Sequence, residues 1–312
     1  MIISKMYMYK VYSSDELQEI IKHVFRKKKL SESSINQYST KIPQWISYIE
    51  SPKTINKLVE NPRESYEILK NTTKIKHSAT NHHIYISSVV AYIKYIMNND
   101  KLLKEWKEIE KENWKPIAEH YDENVPTEMQ TDKVISFCEL NDIRLSLEKG
   151  SIERLLLSFY TLIEPIRADY FATEILSVDE EATEDNYIVI DEAKETGLLI
   201  VRDFKTKNKY EKIENVISSE LMSELRASLD KQPRKYLFTT AENVTKPFTR
   251  KLFSNWACRT LTRILKHPMT LTALRHIYIT KKLNDKTSTK ELVTIAKKMG
   301  HSRDIQRIYE WQ

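Results

Sequence analysis

Glycine is almost absent from this chain. Only three of its 312 residues are glycine, and none of these lies within residues 1–149. Connections in that stretch must therefore turn with serine, asparagine, proline and aspartate instead. Such a composition favours helices joined by short polar turns, and the hydrophobic pattern of the same stretch supports helices.

Three segments of the first hundred residues show the helical period of 3.6. "SSDELQEIIKHVFRKKK" opens with a capping box from Ser13 to Glu16, and apolar residues follow at helical spacing. "SESSINQYSTKIPQWISYI" repeats the pattern, although Pro43 is predicted to bend or split that helix. "NHHIYISSVVAYIKYIMNN" is the third, with Ile86, Val89 and Ile93 on one face.

The second half of the chain adds a small sheet to further helices. Residues 118–131 are polar and lose periodicity, which predicts a linker between a domain at 1–117 and another at 132–312. Three β-rich runs, "NYIVI", "GLLIVRDF" and "KYEKIENVI", interrupt the helical pattern, and the polar turn "KTKN" joins the last two. The predicted fold is mainly α with a small antiparallel sheet.

Composition bounds the class of protein. Hydrophobic residues make up 40% of the chain, which is enough for a real core. Cys138 and Cys258 form no disulfide framework or metal-ligand spacing, so a reducing compartment is the simple interpretation. The start, "MIISKMYMYK", does not resemble a signal peptide, and no run approaches a membrane span. We expect an intracellular protein without a membrane partner.

Charge is unevenly distributed along the chain. Residues 250–309 hold 14 lysines and arginines against three acidic residues, whereas 171–200 hold nine acidic residues and one lysine. A basic segment of this density indicates a polyanionic partner such as nucleic acid. A solvated lysine-rich surface is the alternative interpretation of the same pattern.

The last sixteen residues, "KKMGHSRDIQRIYEWQ", place three notable residues close together. Gly300 falls where a left-handed helix cap belongs, His301 follows on a predicted helix-to-helix corner, and Tyr309 lies about two helical turns further on. Taken singly, Tyr309 is more typical of a core aromatic residue and His301 of a loop or cap residue.

Two arginines lie in apolar surroundings. Arg167 follows a buried-looking helix in "PIRADY", and Arg275 lies among apolar residues in "LTALRHIYIT". A buried charge is costly unless it is paired, so each arginine calls for an anion. The two non-bridging oxygens of a phosphodiester suit a pair of guanidinium groups.

The order of these motifs resembles the tyrosine recombinase family. The motifs are "PIRADY" with Arg167, "DFKTKNKY" with Lys205, "LTALRHIYIT" with Arg275, "KKMGHS" with His301 and "RIYEW" with Tyr309. The resemblance covers about residues 127–312 as the catalytic domain. The first domain is similar to the helical core-binding domain of such enzymes. The segment "PIRADY" resembles the corresponding segment in the branch of the family found in large eukaryotic DNA viruses and their mobile elements.

The resemblance implies a C-shaped clamp on duplex DNA that cuts and rejoins strands through a 3′-phosphotyrosine on Tyr309. Arg167 and Arg275 would bind the phosphate, Lys205 would protonate the leaving 5′ oxygen, and His301 would assist. It also implies a homotetramer on two duplexes, with weak or no association without DNA. No metal or cofactor is implied, and the sequence carries no Walker loop or ligand cluster.

Alternatives stay open at two levels. Lys207 and Lys209 compete with Lys205, which is preferred because it directly follows the apolar strand. A type IB topoisomerase would share the chemistry. Thr272 stands where the family usually has histidine or lysine, so a DNA-binding or architectural protein on a recombinase scaffold is the third possibility.

Overall fold

The computed structural model describes residues 12–123, 135–240, 244–283 and 287–302. The chain divides into two compact units, Met1–Asp122 and Glu123–Gln312. Each unit has a hydrophobic core of its own.

The first unit is helical throughout its described residues. Its elements are α1 (Ser14–Lys27), α2 (Glu32–Ile46), α3 (Ile55–Glu60), α4 (Pro62–Asn71), α5 (Ala79–Tyr92), a π-helical turn (Ile93–Met97) and α6 (Asp100–Glu123). The capping box predicted at Ser13 and Glu16 is confirmed. The core centres on Trp45, whose ring meets that of Trp106 edge-on at 5.4 Å between centroids.

Two sequence predictions for this unit need correction. Pro43 does not split α2, because it lies in the last turn, where its missing N–H removes only one hydrogen bond near the helix end. Helix α6 continues to Glu123, so residues 118–123 of the predicted linker are helical. No glycine or proline interrupts the chain between Pro116 and Pro126, and polar residues alone do not end a helix.

The second unit combines helices with a four-stranded sheet. Its elements are α7 (Phe137–Ser146), α8 (Ile152–Thr161), β1 (Glu174–Ser177), β2 (Asn186–Asp191), β3 (Thr196–Val201), α9 (Lys207–Tyr210), β4 (Ile213–Ile217), α10 (Ser219–Lys231), α11 (Arg250–Leu265), α12 (Leu271–Lys282) and α13 (Thr289–Lys298). The core lies around α8, which is buried along most of its length. The mainly α fold with a small sheet is confirmed.

The sheet differs from the prediction in one strand. The strands lie in the order β1-β2-β3-β4, and β2, β3 and β4 are antiparallel as expected. The additional strand β1 pairs in parallel with β2, so the sheet is mixed rather than antiparallel. The predicted "KTKN" turn between β3 and β4 overlaps the short helix α9, which continues to Tyr210. In the described part of the chain, no helix has the length and apolarity needed to cross a membrane.

Candidate active site

The corner after α13 has the conformation that its sequence predicted. Gly300 has a φ of +70°, in the left-handed region. The amide of His301 donates to the carbonyl of Ala296 at 3.0 Å, and that of Gly300 donates to Lys297 at 3.1 Å. These two hydrogen bonds define a Schellman motif, which ends the helix and fixes the direction of His301.

His301 contacts Arg275 directly at this corner. Nη2 of Arg275 lies 2.7 Å from Nδ1 of His301 and donates to the carbonyl of Met299 at 3.2 Å. A guanidinium can only donate, so Nδ1 of His301 is the acceptor, and the proton of the neutral imidazole is on Nε2. The pair therefore holds a histidine whose Nε2 carries the proton and is a hydrogen-bond donor.

The turn that carries Lys205 is attached to the same corner. The hydroxyl of Thr206 donates to the carbonyl of Gly300 at 2.8 Å. A Cβ on Gly300 would lie 2.7 Å from Cδ1 of Ile213 and 3.4 Å from Cδ2 of Phe204. The absence of a side chain at Gly300 thus allows the turn after β3 to lie against the histidine corner.

The three candidate lysines have different surroundings. Lys207 forms an ion pair with Asp203 at 2.9 Å, and the ammonium of Lys209 lies over the ring of Tyr210 at 5.3 Å. Lys205 is exposed and makes no hydrogen bond or ion pair with another described residue. These contacts favour Lys205 as the lysine free to meet a ligand.

The Arg167 segment is held against the same region by two buried tyrosines. The Tyr160 hydroxyl donates to the backbone carbonyl of Arg167 at 2.9 Å, and that of Tyr170 donates to the carbonyl of Phe159 at 3.2 Å. Burial raises the pKa of both phenols, while the nearby charge of Arg275 acts to lower them. The two hydrogen bonds therefore attach the Arg167 segment to α8.

The end of α13 is also tied to the Arg167 segment by an ion pair. Lys298 contacts Glu164 at 3.2 Å, three residues before Arg167. The structure thus brings together the segments of Arg167, Lys205, Arg275 and His301. Tyr309 lies outside the described residues.

The four candidate residues that the structure describes differ in solvent exposure. Arg275 is 0% exposed and His301 is 2% exposed, whereas Arg167 is partly buried and Lys205 is exposed. Both members of the Arg275–His301 pair are thus almost fully shielded from solvent. Among the described residues, no group of three or more His, Cys, Asp or Glu side chains is arranged to hold a metal ion.

Sequence reasoning missed Arg250 and Asn186. Arg250 pairs with Asp169, two residues after Arg167, and Asn186 bonds to the backbones of Asp169 and Asp203. The sequence position of Arg250 gave one indication. A cation in the first turn of a helix is disfavoured by the helix dipole, so an anionic partner close in space is expected. No spacing rule identifies that partner 81 residues away.

The chain shows distant likenesses to solved structures. The crystal structure of XerA recombinase superposes with a TM-score of 0.42 at 16% sequence identity, covering 96% of this chain and 94% of that chain. No family model and no curated protein matches. A likeness this distant decides nothing about the activity of the chain.

Proposed function

We propose that this protein is a site-specific DNA recombinase that cuts and rejoins strands through a covalent 3′-phosphotyrosine. The observation that carries the proposal is the contact between Arg275 and His301 at a glycine corner that also holds the Lys205 turn. These residues come from motifs that are far apart in the sequence and that resemble those of tyrosine recombinases. Their proximity in the fold supports a common role in one site.

The arginines supply the charge that phosphoryl transfer needs. Arg167 and Arg275 bind the non-bridging oxygens of the phosphodiester and stabilise the negative charge of the transition state. The Nε2–H of His301 donates to one of the same oxygens. Its neighbour Arg275 favours that tautomer, because Nδ1 accepts the guanidinium hydrogen bond.

The covalent step exchanges one phosphorus–oxygen bond for another. The phenol oxygen of Tyr309 forms a bond to phosphorus, and the bond to the 5′ oxygen breaks. The phenol releases its proton to solvent, and Lys205 supplies one to the leaving oxygen, which would otherwise depart as a strongly basic alkoxide. Rejoining is the reverse of these steps.

Duplex DNA is the partner in this proposal, and recombination requires a homotetramer on two duplexes. The helical first unit would serve as a DNA-binding domain. Because Arg275 and His301 are buried, we expect DNA binding to be accompanied by movement of the residues that cover them. The protein would act at DNA inside a cell.

The burial of the Arg275–His301 pair favours one second candidate, a DNA-binding protein that does not cleave. Thr272 is consistent with it, since a threonine cannot act as an acid at neutral pH. A type IB topoisomerase differs in a further respect, because it would relax supercoiled plasmid as a monomer. Cleavage and relaxation assays therefore separate the three functions.

The test is to trap the covalent intermediate. The protein is incubated in EDTA with nicked suicide duplexes from its own genomic neighbourhood, and adducts are resolved on a denaturing gel. We expect a DNA-linked band that Tyr309→Phe abolishes and Tyr210→Phe, a tyrosine of α9, retains. DNA binding without a linked band on any substrate would contradict the proposal and favour the architectural function.

A further inference from the structure

The guanidinium of Arg250 joins two separate segments of the candidate site. Its Nη1 pairs with the carboxylate of Asp169, and its Nη2 donates to the backbone carbonyl of Asp203 at 3.2 Å, with the Asp203 carboxylate at 3.5 Å. Asp169 lies two residues after Arg167, and Asp203 lies two residues before Lys205. One side chain thus bridges the segments that carry these two residues.

Asn186, at the start of β2, bridges the same segments a second time. Its Nδ2 donates to the carbonyls of Asp169 at 2.9 Å and Asp203 at 3.2 Å. Its Oδ1 accepts from the amides of Arg202 at 3.0 Å and Asp203 at 2.8 Å. An amide side chain has two donor hydrogens and two acceptor positions, so the whole capacity of this buried side chain is used for the bridge.

The location of Arg250 has an electrostatic cost that the bridge offsets. Burial, and then the nearby charge of Arg167, lower the pKa of the Arg250 guanidinium. The positive end of the dipole of α11 also disfavours a cation in the first turn. Asp169, which is 2% exposed, and Asp203 supply the opposing negative charge. The position of Arg250 is therefore explained by its two partners and not by helix stability.

We infer that Arg250 is a positioning residue that sets the place of Arg167 relative to Lys205, with Asn186 as its support. The inference rests on the proposed function. In strand cleavage Arg167 must meet a non-bridging oxygen while Lys205 meets the 5′ oxygen of the same phosphate. A displacement of about 1 Å between such groups can slow a reaction by about 100-fold.

The test compares cleavage of two suicide duplexes at saturating DNA, one with the natural 5′ oxygen and one with sulfur in its place. A thiol has a pKa of about 8.5, far below that of an alcohol such as the 5′ hydroxyl, so the sulfur leaves without protonation. Lys205→Ala is expected to cleave the oxygen substrate slowly and to regain its cleavage rate on the sulfur substrate. Arg167→Ala is expected to cleave both substrates slowly. Arg250→Gln is expected to cleave the oxygen substrate about 100-fold more slowly than wild type. On the sulfur substrate its rate should recover only in part, because Arg167 is displaced as well as Lys205.

Three further variants separate positioning from folding. Arg250→Lys keeps the charge but cannot reach both aspartates, so we expect an intermediate rate with an unchanged melting temperature. Arg259→Gln removes an exposed arginine from the same helix and is expected to match wild type. Asp169→Asn combined with Arg250→Gln should be no slower than the slower single variant, because the two residues act as a pair.

The outcomes distinguish the inference from the function on which it rests. If wild type and Lys205→Ala behave as expected but Arg250→Gln and Arg250→Lys cleave at the wild-type rate, the inference is wrong and the function stands. An Arg250 variant that loses DNA affinity alone, with its rate at saturation unchanged, also overturns positioning. If wild type forms no adduct on either substrate, the proposed function fails and the inference fails with it.

Discussion

The contact between Arg275 and His301 determines what each side chain offers to a ligand. A guanidinium that donates to Nδ1 places the proton of a neutral imidazole on Nε2. The histidine is thus suited to donate a hydrogen bond to a phosphate oxygen in its neutral form. Neither Arg275 nor His301, considered singly in the sequence, indicates this donor role.

Replacing His301 tests whether the donor at Nε2 matters. The amide nitrogen of glutamine can occupy about the place of Nε2, whereas leucine has no donor. We expect His301→Leu to slow adduct formation by about 100-fold and His301→Gln to be at least about ten times faster than His301→Leu. Single-turnover cleavage of a suicide duplex measures both, and equal rates for the two variants would rule out the donor role.

Thr206 connects the Lys205 turn to the glycine corner through one hydrogen bond. Thr206→Val removes the hydroxyl at nearly constant shape, and we expect a loss of about 1 kcal/mol in the free energy of unfolding together with slower adduct formation. Thr206→Ser keeps the hydroxyl and should retain the rate. Urea unfolding and the adduct assay, applied to both variants, check the two effects. A wild-type rate in Thr206→Val would show that the attachment is dispensable.

Glu224 is a shared ion-pair partner of the buried Arg144 and the partly buried Arg154 in the second unit. It binds Arg154 through both carboxylate oxygens, at 2.7 and 2.8 Å, and lies 3.5 Å from Arg144. Glu224→Gln leaves the charge of Arg154 uncompensated and removes one of the two carboxylates near Arg144, and we expect a loss of about 3 kcal/mol in the free energy of unfolding. Glu220, which is 58% exposed and binds Arg144, is the matched control; Glu220→Gln should cost under about 1 kcal/mol. Similar losses for the two variants in urea would contradict this difference.

At the scale of elements, helices followed from the sequence more readily than the sheet did. Caps and apolar spacing are local signals, and the capping box of α1 and the left-handed Gly300 are both observed as predicted. Strand β1 has only four residues and pairs in parallel with β2 across the short connection 178–185. Parallel neighbours are ordinarily joined by a longer crossover, so no local rule indicated this pairing.

Glu174 shows what holds that unexpected strand. Its carboxylate is almost fully buried, binds Lys235 at 2.8 Å and accepts the amides of Thr183 and Glu184. Burial acts to raise the pKa of this carboxyl, but these hydrogen bonds outweigh burial and leave the pKa lowered. The loop after β1 is therefore fastened by an acidic residue whose partners cannot be deduced from spacing.

Helix α5 carries a buried histidine that makes the first unit sensitive to acid. Burial, then the charges of His77 and Lys70, lower the pKa of His82. The unfolded chain binds the proton more tightly, so stability falls as the pH drops below about 6.5 and through the lower folded pKa. We expect His82→Leu to flatten this dependence and His23→Gln, an exposed histidine of α1, to retain it. Urea unfolding of the first unit between pH 7.5 and 5 provides the measurement, and an unchanged slope in His82→Leu would contradict it.

At the scale of the whole molecule, the order of the motifs in the sequence indicated the candidate site better than any single motif did. Arg167, Lys205, Arg275 and His301 were proposed from sequence, and their segments meet in one unit. Their roles stay predictions, as does that of Tyr309. Arg250 and its partners were not foreseeable, because an ion pair between α11 and the Arg167 segment is a product of tertiary packing.

The most direct measurement of the central claim is to identify the residue that becomes linked to DNA. The trapped complex is digested with trypsin and nuclease, and the adduct is located by mass spectrometry, with each strand end labelled in turn. The account predicts a nucleotide on Tyr309, joined through a 3′ phosphate and leaving a free 5′ hydroxyl. An adduct on another residue, a 5′ linkage, or DNA that is bound and never linked would contradict it.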